Sequence, residues 1–94
     1  MMKKEYDVVV VVSVDELGDK EAFDKHLRRE GLREIDGESF AYKGVSSTPI
    51  INTRAYLADV FKKALKKAGN FKNFSMIVQL GDNPMEVYKY KDLS

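Results

Sequence analysis

Acidic and hydroxyl side chains cluster just after the first apolar segment of the chain, at Ser13, Asp15, Glu16 and Asp19. That position is where a strand's C-terminal end opens into a helix-bearing loop. If two copies of the chain associate, one carboxylate from each copy, together with waters and a phosphate, would match the way proteins usually bind Mg²⁺. The carboxylates of this group, Asp15 among them, are therefore candidate Mg²⁺ ligands, and Asp15 and Ser13 are candidate catalytic residues for phosphodiester hydrolysis. In the alternative interpretation, Asp19 caps a helix while Asp15 and Glu16 are solvated turn residues.

A second group of polar residues precedes a predicted helix N-terminus. It contains Ser47, Thr48, Thr53 and Arg54. Hydroxyls, free backbone N–H groups and a guanidinium can together hold a phosphate or a carboxylate, so these four are candidate anion-binding residues. The alternative is ordinary helix capping beside a connection stiffened by Pro49.

Two basic groups are candidates for contact with a nucleic-acid backbone. The first group lies around the end of the first predicted helix and contains Arg28, Arg29 and Arg33. The second lies on the second predicted helix and contains Lys62, Lys63, Lys66 and Lys67. Such side chains could neutralise phosphates without reading sequence. The alternative is that the lysines serve solubility and suit the C-terminal end of a helix dipole. The aromatic residues of the chain form no RNP-type motif for stacking on bases.

Several familiar sites are missing from the sequence. His26 is the single histidine and the chain has no cysteine, so no His or Cys set for zinc and no Cys nucleophile exists. Neither a Gly-x-Ser-x-Gly elbow nor a phosphate-binding glycine loop occurs. His26 shares a predicted helix face with Phe23, which predicts a packed structural imidazole.

The composition indicates one small globular domain spanning residues 1–94. It is 44% hydrophobic and 33% charged, with a net charge of +1, which argues against long disorder. Residues 1–50 hold eight Lys and Arg against eleven Asp and Glu, whereas residues 51–94 hold eight against four. No apolar run approaches the roughly 20 residues of a membrane span. We expect a cytoplasmic protein with no membrane contact, and self-association to enlarge its modest core.

Apolar periodicity and turn residues divide the chain into strands and helices. The predicted strands are residues 6–14, 32–35, 39–42, 71–80 and 86–90, and the predicted helices are residues 20–30 and 54–68. Asp19 should cap the first helix and Gly31 should end it, whereas Asn52 or Thr53 should cap the second. An Asp36-Gly37 type I′ turn should join the second and third strands, and residues 44–51 should form a loop.

This order of elements predicts an α+β fold. Two right-handed crossovers in a β-α-β-β-α-β chain give a ferredoxin-like sandwich, with both helices on one face of an antiparallel sheet and a short extra strand at the C-terminus. The continuous Val run at residues 8–12 indicates a central strand that is covered on both faces or lies at a subunit contact. The open face of the sheet must meet water, a ligand or a partner.

In this order of elements the chain resembles the small ferredoxin-fold CRISPR-associated nuclease, the smaller protein of the adaptation pair, and its GhoS-type antitoxin and VapD-type toxin relatives. The likeness rests on the strand at residues 8–12 ending near Asp15, the helix closing at Gly31-Leu32 and the strands at residues 39–42 and 87–90. It implies that Asp15 binds metal and that residues 86–90 clasp the partner of a homodimer. The usual aspartate closely follows Tyr or Phe, whereas Val12-Ser13-Val14 precedes Asp15 here.

Two functions follow as hypotheses. The first is a small homodimeric nucleic-acid-associated protein, a Mg²⁺-dependent endoribonuclease or an antitoxin-type RNA-binding protein. The second is a non-catalytic regulatory module that binds a partner protein or senses a small ligand. Fold likeness alone does not transfer an activity.

Overall fold

The structure, a computed structural model, describes residues 4–93. Its elements in chain order are β1 (Tyr6–Asp15), α1 (Lys20–Arg29), β2 (Arg33–Glu34), β3 (Ala41–Ser46), α2 (Ile50–Ala68), β4 (Lys72–Leu80) and β5 (Glu86–Lys89), followed by a 3₁₀ turn (Tyr90–Leu93). The α+β class is confirmed. Within residues 4–93, neither helix is long and apolar enough to cross a membrane.

All five strands form one antiparallel sheet in the order β2-β3-β1-β4-β5. The Val-rich β1 lies in the middle, as the apolar run predicts. Val8, Val10 and Val12 face the core, whereas Val11, on the opposite face, is 44% exposed. One chain therefore covers only one side of this strand. β5 pairs with β4 of the same chain.

Both helices pack on the covered face of the sheet. The helical spacing of the apolar residues in α2 predicts one buried stripe. All its members are buried: Leu57, Val60, Phe61, Ala64, Leu65 and Ala68. Three aromatic rings meet edge-to-face at the centre, from Phe23, Tyr42 and Phe61, with centroids 6.1 to 6.3 Å apart. This geometry is the favoured one for aromatic pairs.

The predicted hairpin of the second and third strands is confirmed, but its type I′ turn and its strand bounds are wrong. Arg33 pairs with Lys43 and Glu34 pairs with Tyr42, so residues 35–40 form a six-residue connection and β3 extends through residues 44–46. Gly37 has a φ of 81°, but Asp36 is not in the positive region that a type I′ turn also requires. A backbone turn still lies at Asp36-Gly37, where the Glu38 N–H donates to Ile35 O at 3.0 Å. Glu34 Oε2 accepts from the Phe40 N–H at 3.1 Å and holds the rest of the connection.

The predicted start of the second helix is also wrong. α2 begins at Ile50, four residues before Arg54, with Pro49 at its N-cap and no side-chain capping bond. The N–H groups of Asn52 and Thr53 donate to Pro49 O at 3.0 and 3.1 Å, so both predicted capping residues lie inside the helix. The helix therefore begins directly after Pro49, whose fixed φ is compatible with this position, and it has no capping side chain.

The ends of the other elements lie close to their predicted positions. Asp19 caps α1 as predicted, accepting from the Ala22 N–H at 3.0 Å. β1 runs one residue further, to Asp15, whereas α1 ends one residue earlier and β4 begins one residue later. β5 ends at Lys89 because the 3₁₀ turn begins at Tyr90.

Candidate functional site

Lysine and arginine side chains dominate the outer surface of the helix layer. The two helices run antiparallel: the Asp19 N–H donates to Ala68 O at 2.9 Å, and the Tyr56 hydroxyl donates to Glu30 O at 3.3 Å at the other end. This pairing brings the last half of α2 beside α1. Three cations then line one shallow depression together with His26: Lys25, Arg29 and Lys67. Lys63, which pairs with Asp59 at 3.0 Å, lies near enough for its charge to act on His26. We call Lys25, Arg29, Lys63 and Lys67 the helix-face cations.

His26 lies among the helix-face cations. It is 9% exposed, which confirms the predicted packed imidazole, and its Nε2 has no hydrogen-bond partner among the described residues. Burial lowers the pKa of His26, and the positive charges of Lys67, Arg29 and Lys63 lower it further against the opposing effect of Glu30. The three cations therefore add to the larger effect of burial on this imidazole.

The remaining basic candidates are divided between two surfaces. Lys62 and Lys66 are exposed on α2, and Arg28 is exposed in the last turn of α1. Arg33 belongs to the edge strand β2 and faces outward beside Lys43 on the open side of the sheet. Six of the seven predicted basic residues thus lie on the two helices, and Arg33 lies apart from them.

Asp15 and Ser13 lie on the open face of the sheet, away from the helix-face cations. Asn73 Nδ2 donates to Asp15 Oδ2 at 2.9 Å, and Asn73 is the extra residue of a bulge in β4, with a φ of 55°. Asp15 therefore has a structural partner, because its carboxylate holds the side chain of the bulged residue.

The described carboxylates near Asp15 do not form a larger acidic group. The nearby Glu16 carboxylate pairs with Lys72 at 2.8 Å. Within residues 4–93, no three His, Asp or Glu side chains lie close enough to share a metal ion. Mg²⁺ usually takes one or two carboxylates with waters and phosphate oxygens. Asp15 with waters, or two Asp15 carboxylates from two copies of the chain, would be enough for such a site.

The predicted anion-binding residues are only partly brought together. Thr53 Oγ1 lies 2.8 Å from Thr48 Oγ1, 2.8 Å from Ser46 Oγ and 2.6 Å from the Tyr6 hydroxyl. We call Tyr6, Ser46, Thr48 and Thr53 the hydroxyl cluster. Thr53 is 4% exposed, so the cluster closes the space between β1, β3 and α2, while Ser47 is exposed beside it.

Sequence reasoning missed Tyr6 and Ser46, whose contribution depends on the pairing of Tyr6 with Ser46 across β1 and β3. Burial would raise the pKa of Tyr6, but the hydrogen bonds with Ser46, Thr53 and Thr48 outweigh it and lower the pKa. Because these hydroxyls already satisfy one another, they behave as a local brace between strand and helix.

Arg54 points away from the hydroxyl cluster. Its Nε lies 2.7 Å from Glu86 Oε1, although the angle does not make a hydrogen bond. This ion pair joins the first part of α2 to β5, so the guanidinium braces the C-terminal strand.

A charged network that the sequence did not reveal joins α1 to β2 and β3. Lys20 Nζ contacts Asp24 Oδ2 at 2.6 Å and Glu34 Oε2 at 2.8 Å, and the buried Tyr42 hydroxyl donates to Asp24 Oδ1 at 2.5 Å. The Lys20 hydrogen bond lowers the pKa of Glu34, and burial raises that of Tyr42. Only the i, i+4 spacing of Lys20 and Asp24 could have signalled part of it.

Comparisons with protein-family models, with curated proteins and with solved structures found no match to this chain. The resemblance to the CRISPR-associated nuclease and its relatives therefore stays a prediction.

Proposed function

We propose that this protein binds the phosphate backbone of nucleic acid through the outer surface of its two helices. The observation that carries the proposal is the convergence of the helix-face cations from two elements at and beside one depression. Backbone phosphates are the ligand that such a surface suits, since cations that neutralise them release counterions. Lysines that serve only solubility would be explained by α2 alone, whereas this surface also includes Lys25 and Arg29 of α1.

We further propose that the fold is the ferredoxin-like sandwich. The strand order β2-β3-β1-β4 supports it, because each β-α-β crossover then skips one strand and both helices share one face. In this arrangement the helices leave the opposite side of the sheet open.

We also propose that the open face of the sheet joins two copies of the chain in a homodimer. One apolar residue from each of four adjacent strands falls in a single row across this face. The register places Ala41 and Ile77 on either side of Val11, and Val87 beside Ile77. Exposed apolar area of this kind is typical of an interaction surface. A twofold dimer through this face would leave both helix layers free for nucleic acid.

The binding test is the salt dependence of affinity for labelled single- and double-stranded RNA and DNA. The variant Lys63→Glu/Lys67→Glu should weaken binding roughly tenfold or more and lower the slope of log affinity against log salt by about 2. The matched control is Lys4→Glu/Lys91→Glu, which makes the same charge change at exposed lysines outside both helices and the sheet and should leave the slope unchanged. Equal losses in both variants, or no binding at low salt, would contradict the proposal.

The same samples, incubated with Mg²⁺, test the catalytic hypothesis. Cleavage that Asp15→Asn abolishes while binding persists would make Asp15 a metal ligand. Binding without cleavage leaves a nucleic-acid-binding protein in which Asp15 holds the β4 bulge.

A further inference from the structure

A cavity of about 380 Å³ lies between the turn after α1, the second half of β3 and the first turns of α2. Its walls include the buried side chains of Val8, Leu32 and Leu57. Thr53 of the hydroxyl cluster borders one part, and Glu30 with Tyr56 borders another. The volume falls within the range of roughly 300–1,000 Å³ that is usual for small-molecule sites, which are mostly apolar with a few polar groups.

The turn after α1 lies directly against β3 at one side of the cavity, because Gly44 has no side chain to hold the two segments apart. A Cβ on Gly44 would lie 2.7 Å from Gly31 O and 3.2 Å from Leu32 Cδ2. Gly44 stands opposite Val8 in the β1–β3 register, and both residues line the cavity. Rigid strands and helices, rather than a loop tip, shape most of the wall.

The electrostatics of the cavity favour a positively charged ligand. Glu30 is the single charged side chain among the described residues that line it, and it forms no ion pair with any described residue. The Tyr56 hydroxyl donates to Glu30 Oε1, which fixes the carboxylate at the cavity. α1 ends at this point, and the C-terminal end of a helix dipole also favours a cation.

We propose that this cavity binds a small organic amine, with its ammonium group against Glu30 and its apolar body over Val8, Leu32 and Leu57. An organic anion would meet the Glu30 carboxylate as a like charge. Among the described residues, a bare metal ion would have only one carboxylate ligand in this cavity, whose other walls are mainly apolar. The site does not depend on nucleic-acid binding, since the helix-face cations lie elsewhere on the helices.

The test uses phenethylamine as the probe, followed by amide chemical shifts of the isotope-labelled protein at neutral pH. Phenethyl alcohol and 3-phenylpropanoate serve as the neutral and anionic comparisons. The amine should move the amides of Gly31, Leu32, Gly44 and Thr53 along one saturable curve. It should bind more tightly than the alcohol, and the carboxylate should bind more weakly than both.

Two variants separate the charge of the site from its shape. Glu30→Gln should weaken amine binding about tenfold and leave the alcohol unchanged, because only the charged contact is lost. Glu21→Gln, on the first turn of α1, is its control and should change neither. Asn52→Trp, at the border of the cavity, should weaken both ligands, whereas the exposed Ala55→Trp should not.

Three results would overturn the proposal. The first is no saturable shift up to the solubility limit of the amine. The second is shifts that cluster outside the cavity. The third is a Glu30→Gln variant that binds the amine as tightly as the unaltered protein. Each of these leaves the salt-dependence test of nucleic-acid binding unaffected.

Discussion

His26 couples the charge of the helix layer to the stability of the chain. Its folded-state pKa lies below the usual value near 6.5, because burial and three cations disfavour the protonated ring. The unfolded chain therefore takes up the proton first as pH falls. Stability should be full above about pH 6.5, decline as pH falls from there toward the folded pKa, and level off below it.

Urea unfolding between pH 8 and pH 5.5 measures this decline. The chain has one histidine, so His26→Gln should remove most of the change within that window. Below it, Glu34 should add a separate loss, since its pKa is lowered in the folded state and its stabilisation disappears as pH falls through that value. An equal decline in His26→Gln would show that other groups carry it.

Added oligonucleotide should raise the pKa of His26. Phosphates on the helix-face cations would offset the positive charges of Lys67, Arg29 and Lys63 that help to lower it. The measurement is an NMR titration of the imidazole with and without a saturating oligonucleotide at low salt. An unchanged pKa despite demonstrated binding would place the nucleic acid on another surface.

At the scale of elements, β3 depends on a close backbone approach at Gly44. The Gly44→Ala variant should lose about 1–3 kcal/mol of stability, because its methyl group would meet Gly31 O and a backbone carbonyl cannot swing aside. Urea unfolding gives the difference. Lys43→Ala, the exposed neighbour on β3, is the control and should change stability by less than about 0.5 kcal/mol. A fully stable Gly44→Ala would mean that the turn after α1 can shift outward.

At the scale of the whole molecule, the apolar row across the open face should control self-association. Ile77 is 42% exposed and Val87 63% exposed in one chain. Ile77→Lys places a charge at the centre of the row and should convert a dimer to a monomer, since an unpaired charge at an interface is costly. Sedimentation equilibrium measures the change. Ser75→Lys, two residues away on the same face, should weaken the dimer less.

A monomeric unaltered protein would contradict the dimer, and equal effects of both lysine variants would contradict the central role of the row. A dimer that survives Ile77→Lys while losing association on truncation after Met85 would point to β5 as the clasp, as the resemblance implies.

Periodicity determined most of the elements of this protein because apolar spacing is a local property of the chain. The stripe of α2, the inward face of β4 and the Asp19 cap all follow from residues a few positions apart. The type of the hairpin turn and the start of α2 do not follow from such local spacing. The path of residues 35–40 depends on Glu34 reaching Phe40, and Thr53 contacts Tyr6 across 47 positions of sequence instead of capping its helix.

For the candidate sites, the sequence by itself supplied the residue types: a run of helical cations, a carboxylate after the first strand and hydroxyls before the second helix. Only the tertiary structure decided their neighbours. In the folded chain, Lys25 and Arg29 lie near Lys63 and Lys67. Asp15 lies on the opposite face of the sheet and contacts Asn73, and Arg54 pairs with Glu86. The cavity bordered by Glu30 has no local signal at all, because its walls come from segments that meet only when the strands pair and the helices pack.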